Sequence, residues 1–139
     1  MRYDSDYVMC ECPIESIKGF VEEIEKDYSI RVLKEPSVCL TMVRAEDSLE
    51  KQEFYLGEAL TTECEVEVDG ELGYGLCLGE EPVRGYCIAV LDAMIQSNIE
   101  DSRLSDFLDT QRSVVERREK EEYARTLQTR VDFKLMEED

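Results

Sequence analysis

The chain has 139 residues, enough for one domain with one modest core, and its 34 acidic against 16 basic residues give a formal net charge of −18. That balance argues against any sizeable contact with nucleic acid or anionic lipid, since both are held by basic patches. No apolar run is long enough to cross a bilayer, and the acidic opening "MRYDSDYVMCECPIE" lacks a signal peptide's apolar core, so a cytoplasmic location is expected.

Residues 14–27 place Ile14, Ile17, Phe20, Val21 and Ile24 at helical spacing, with Pro13 suited to the helix start. The β-branched run that follows, broken at Pro36, predicts two adjoining strands near 29–34 and 38–45. A polar turn at "EDSLEKQ" leads to "EFYL", a strand expected to stop at Gly57. Residues 60–69 alternate: Thr62, Cys64, Val66 and Val68 face one way, and Glu63, Glu65 and Glu67 the other. This is the pattern of a half-buried antiparallel strand with an acidic wet face. Asp69-Gly70 is a hairpin signal. The next strand, 71–78, alternates large and small, with Leu72, Tyr74, Leu76 and Leu78 against Gly73, Gly75 and Cys77.

Those glycines precede a helix and superficially resemble a phosphate-binding turn. Their spacing of two is strand periodicity, and glycine within a strand marks close approach by another segment. Glu80 and Glu81 lie just before Pro82, so carboxylates occupy the helix N-terminus where a phosphate would bind. No lysine holds a P-loop position.

Helix 82–97 carries Val83, Cys87, Val90 and Met94 on one stripe and Gly85, Ala89 and Ala93 on another. The small stripe packs against the bare strand face or receives a docked partner; the first reading is favoured, because single domains bury such stripes internally. Asp92, the one charge amid this surface, is either partly exposed or in a buried ion pair. Residues 100–125 predict a longer helix with a narrow stripe of Leu104, Leu108, Gln111 and Val115, and little but charge after Glu116. The tail alternates Val131, Phe133 and Leu135 and reads as extended.

Six cysteines, at 10, 12, 39, 64, 77 and 87, are expected to be reduced thiols, four of them in apolar patterns. Cys10-x-Cys12 is the only close pair, and no second pair and no histidine completes a zinc site. With no histidine in the chain, no nucleophile–histidine pair exists. The residues alone describe a binding or structural subunit. A free-standing acidic scaffold or adaptor and a small metal enzyme using Cys10 and Cys12 are the other readings.

An ordered set of motifs carries a resemblance: Met42-Val43-Arg44-Ala45; Phe54-Tyr55-Leu56-Gly57-Glu58-Ala59; Thr62-Glu63-Cys64-Glu65-Val66; Gly70-x-Leu72-Gly73-Tyr74-Gly75; Leu78-Gly79; Ala89-x3-Ala93 spanning Asp92; and Arg130-Val131-Asp132-Phe133. Together, over roughly 35–96 and 129–136, they resemble the G subunit (PhnG) of the bacterial carbon–phosphorus lyase core complex. The short acidic N-terminus and the Glu80-Glu81 pair depart from that pattern. The resemblance implies phosphonate catabolism by an assembly of G-, H-, I- and J-type subunits. With an L protein, G, H and I support displacement of adenine from ATP by an alkylphosphonate; nucleosidase chemistry belongs to I and radical cleavage to J. The G subunit is implied to be an accessory with no cofactor and no catalytic residue of its own.

The expected fold is α+β. An antiparallel sheet of four to five strands carries helices mainly on one face, with a core of about 14–97 and a C-terminal helical arm and tail over about 100–139. Candidate partner contacts are Asp92, Glu58, Tyr74, Arg130, Asp132 and Phe133. In one reading the tail, 129–136, adds a strand to a partner with Phe133 as anchor and Arg130 and Asp132 at the rim; in the other it folds back on its own sheet.

Overall fold

The computed structural model describes residues 4–46, 49 and 52–137, with the side chains of 54, 55 and 130–137 outside that description. The chain divides into two compact units, Pro13–Asp101 and a second made of the first twelve residues with those from Ser102 onward.

The larger unit begins with an α-helix, Ile14–Asp27, numbered α2 because a short helix precedes it. Its helical spacing buries Ile17, Val21 and Ile24, as the sequence predicts, and Pro13 is its N-cap residue. Three antiparallel strands follow in the order β1-β2-β3, a simple meander: β1 Ile30–Glu46, β2 Glu53–Val68 and β3 Glu71–Leu78. Helix α3, Pro82–Gln96, packs on β3 and β2, and α2 packs on α3.

Three strands replace the four to five expected, because two residues read as breaks lie inside continuous strands. At Pro36 the β1–β2 register shifts between Lys34↔Glu65 and Ser37↔Glu63, so Glu35 and Pro36 form a bulge. On an edge strand a bulge absorbs the missing N–H of proline without loss of the ladder. At Gly57 the register shifts again: Val43 pairs with Gly57 and Arg44 with Tyr55, leaving Leu56 as the extra residue. Gly57 itself adopts φ 151°, a backbone that β-carbon-bearing residues avoid.

The predicted hairpin at Asp69-Gly70 is present, with φ 49° and 85° at the two turn residues. Ser29 closes its base: Ser29 N–H donates to Asp69 Oδ1, and Asp69 N–H donates to the Ser29 carbonyl, both at 2.8 Å. Helix α3 ends where Asn98 takes φ 57°, a left-handed residue just beyond the last turn.

The smaller unit pairs α1, Ser5–Glu11, with α4, Ser102–Glu137. Asp4 caps α1 by accepting from Tyr7 N–H at 2.9 Å. Arg118 donates to the Glu11 carbonyl at 2.9 Å and to its carboxylate at 3.2 Å, and the Tyr7 hydroxyl donates to Glu119. The predicted stripe is buried at Leu104, Leu108, Gln111 and Val115, while Tyr123 is exposed.

Helix α4 also corrects the expectation for the tail. Residues 129–136 are helical, not extended. The chain contains no glycine or proline after Gly85, and α4 is rich in Glu, Arg, Lys and Gln, so nothing stops the helix once it starts. The two-residue alternation of Val131, Phe133 and Leu135 is too short to override it. The added-strand geometry is therefore withdrawn, and the side chains of Arg130, Asp132 and Phe133 lie outside the described residues.

Candidate functional site: an exposed ribbon and a clamped sheet edge

The bare face of β3 is filled by its own helix. A Cβ added at Gly75 would lie 2.7 Å from the Ala89 nitrogen and closer still to the Gly85 carbonyl oxygen. At Gly73 it would lie 2.6 Å from the Ala89-following small residue Ala93, at its Cβ. A Cβ added at Gly85 would in turn lie 3.1 Å from the Thr62 methyl. Gly85, Ala89 and Ala93 thus seat α3 backbone-close on Gly73 and Gly75. Gly73 and Gly75 therefore serve packing.

Thr62 ties this contact down. It is fully buried, and its hydroxyl donates to the Gly79 carbonyl at 2.6 Å and accepts from Glu81 N–H at 3.0 Å. It therefore anchors the turn between β3 and α3. Sequence pattern ranks Thr62 with Cys64, Val66 and Val68 as inward-facing, which holds, but gives no sign of this hydrogen-bonding role. Arg84, also buried, pairs with Glu81 at 3.3 Å at the helix start.

Asp92 and Tyr74, both named from sequence, are brought together. Asp92 is half-buried and its Oδ2 accepts from the Tyr74 backbone N–H at 2.9 Å. β3 ends the sheet's strand order, so this carboxylate occupies an edge donor that would otherwise face water or another strand. Asp92 is thus an edge clamp rather than half of a buried ion pair.

The outer sheet face carries three rows. β3 contributes Leu72, Tyr74, Leu76 and Leu78; opposite them stand Glu67, Glu65, Glu63 and Thr61 of β2; beyond lie Arg31 and Lys34 of β1. Arg31 pairs with Glu67 at 3.0 Å and Lys34 with Glu63 at 2.9 Å. The Lys34 bond holds the Glu63 carboxyl below its ordinary range and lifts Lys34 above its own. Tyr74 is pushed up to about 12, first by partial removal from water and then by Glu63. Burial pushes the Cys64 and Cys77 thiols up as well, so neither is a poised thiolate. Cys12 is buried and Cys10 half-buried.

Beyond Thr61, β2 pairs only with β1 among the described residues. Residues 40–46 and 53–60 form a two-stranded ribbon that runs roughly 25 Å past the end of β3. Its α3-side face continues the face of Thr62 and bears Leu40, Met42 and Leu60, which are 63%, 54% and 44% exposed. Glu58 lies here too, opposite Met42 and exposed. Leu56, on the bulge, is 59% exposed. A two-stranded hairpin is marginal in water by itself, and one lined with leucine and methionine is a surface to be covered. The sequence named Glu58 but missed its apolar neighbours, because alternation shows which residues share a face and not where the covering helix stops.

These features define an α+β protein of the meander-and-helix class, with an exposed apolar ribbon extending from its sheet. The chain belongs to the PhnG family, described as phosphonate metabolism protein PhnG, whose model matches residues 1–137. That membership places it in phosphonate metabolism. No curated protein sequence matches it. No helix among the described residues is long and apolar enough to cross a membrane.

Proposed function

We propose that this chain is an accessory, non-catalytic subunit of a carbon–phosphorus lyase core complex in the cytoplasm. There it supports transfer of an alkylphosphonate to the ribose of ATP with release of adenine, giving products such as ribose 1-methylphosphonate 5-triphosphate. Family membership across 1–137 carries this reading. The absence of any histidine from the sequence agrees with chemistry supplied by other subunits. The ribbon 40–46 and 53–60 supplies the means of assembly: its uncovered leucines and methionine dock on an I-type subunit, with H-type and J-type subunits completing the complex. In this reading the chain holds no cofactor and handles ATP and alkylphosphonate only through the assembly.

Co-expression with the I-, H- and J-type subunits tests both parts. The double variant Leu40→Asp, Met42→Asp is expected to keep its circular dichroism and lose co-purification. Undiminished assembly by that variant overturns the ribbon as the docking element. Adenine release at full rate by an assembly lacking this chain overturns the accessory role.

A further inference from the structure

A groove of about 410 Å³ lies within the larger unit, where α2, the start of α3 and the β1 bulge converge. Val21 and Cys87, both buried, form part of its floor, and Pro36, Pro82, Val83 and the Tyr86 ring line its sides. Its size falls in the range of sites that take a ligand or an anchoring side chain. The polar rim comes from α2: Lys18, Glu22 and Glu25, spaced to share one side of the helix. Tyr86 hydroxyl donates to Glu25 at 3.2 Å, which fixes the ring along the wall. Glu22 is in none of the ion pairs found among the described residues, Lys18 shares the rim one helical turn away, and Glu81, beside Pro82, is taken up by Arg84. The groove is therefore an apolar floor whose rim carries two carboxylates against one lysine, in a chain of net charge −18.

We infer that this groove binds a basic amphipathic segment of a partner protein, taking one apolar side chain between Val21, Val83, Pro36 and Tyr86 while flanking lysine or arginine meets Glu22 and Glu25. Charge decides the class of occupant. An acidic or neutral apolar segment would leave Glu22 unpaired at a newly desolvated rim, which is costly, whereas a cation there gains from both carboxylates. The long aliphatic stems of lysine and arginine also suit a rim whose neighbours are proline and tyrosine. Burial and the adjoining Glu25 push the Tyr86 hydroxyl up to about 12, so it stays a neutral donor to Glu25 at any working pH. This groove is separate from the ribbon face, and its test needs no phosphonate subunit.

The experiment is an amide NMR titration of the full chain at about 0.15 M salt, where long-range charge attraction is screened. Two synthetic helical peptides share one leucine stripe; one has lysine and arginine on its polar face, the other glutamate. The basic peptide is expected to shift the amides of Val21, Glu22, Glu25, Val83, Tyr86 and Cys87 as one cluster. Val83→Asp places a charge in the wall at an exposed first-turn position where aspartate suits the helix, and is expected to weaken that peptide about tenfold or more. Glu22→Lys should weaken it through the rim without touching the floor. Equal binding of both peptides, shifts scattered along α4 and the sheet, or affinity unmoved by Val83→Asp each overturns the inference.

Discussion

Replacing Gly75 by alanine tests the contact on which the larger unit is built. The added methyl would sit 2.7 Å from the Ala89 nitrogen, against an ordinary contact of about 3.4 Å, so that atom alone requires α3 to retreat by at least about 0.7 Å. The Gly85 carbonyl is closer still, and both obstacles are backbone atoms that no rotamer change can move. Lifting the helix would loosen Gly85, Ala89 and Ala93 together and strain the Thr62 anchor at its start. Overpacking of this kind costs roughly 1–3 kcal/mol, and the backbone clash places Gly75→Ala toward the upper end. With a urea slope of about 1–3 kcal/mol per M, the midpoint should fall by about 1 M or more, followed by circular dichroism. Gly19→Ala is the internal control. Gly19 is exposed in α2 with nothing within 4 Å of an added Cβ, so the same chemical change should stabilise by about 0.5–1 kcal/mol. Equal midpoints for wild type and Gly75→Ala would refute the seating of α3 on the glycine face.

Thr62→Val keeps the shape and removes both hydrogen bonds of the anchor, and should cost about 1–3 kcal/mol by denaturant titration, since a buried carbonyl and N–H lose their partner. Asp92→Ala should speed hydrogen exchange at the Tyr74 amide and cost about 1–2 kcal/mol, with Asp92→Asn much milder because its carbonyl oxygen can still accept. Of the 7 tyrosines, Tyr74 and Tyr86 should ionise near 12 by tyrosinate absorbance. Raised values of this kind mean stability present below about pH 10 and lost as pH rises through about 12. Glu63 runs the other way: its lowered value gives a contribution present above the ordinary carboxylate range and lost as pH falls through the folded value, and Lys34→Met should return it toward the ordinary range by carbon-detected NMR.

Period-two patterns were legible wherever one face is buried. The inward set Thr62, Cys64, Val66 and Val68 is buried, and the glycines of β3 meet the small stripe of α3 because both follow from side-chain volume, which sequence states directly. The helical stripe of Leu104, Leu108, Gln111 and Val115 was legible for the same reason. Pro36 and Gly57 misled because their local meaning is a break, while a sheet can carry such residues as bulges when a neighbouring strand holds the ladder on either side. Asp92 was legible as unusual but not as a clamp, since its partner is a backbone N–H that every residue possesses. The groove was invisible because its lining comes from segments as far apart as Lys18 and Cys87.

The same volume argument bears on the ribbon. Up to Thr62 the α3-side face is graded for a helix: glycine on β3, threonine and cysteine on β2. Past Thr62 the grading stops and Leu40, Leu60 and Met42 take its place, large side chains left 63%, 44% and 54% exposed. The outer face mixes Glu63, Glu65 and Glu67 of β2 with exposed leucines of β3, whereas the ribbon sets Leu40 directly opposite Leu60 on its α3-side face. Leucine at 63% exposure contributes little to the isolated fold, so Leu40→Asp should move the denaturation midpoint of the chain alone by no more than about 0.5 kcal/mol in free energy. Val66→Asp, on the same strand pair but fully buried, should unfold the larger unit. If Leu40→Asp destabilises the isolated chain as Val66→Asp does, the ribbon face belongs to the protein's own core and is not held open for a partner.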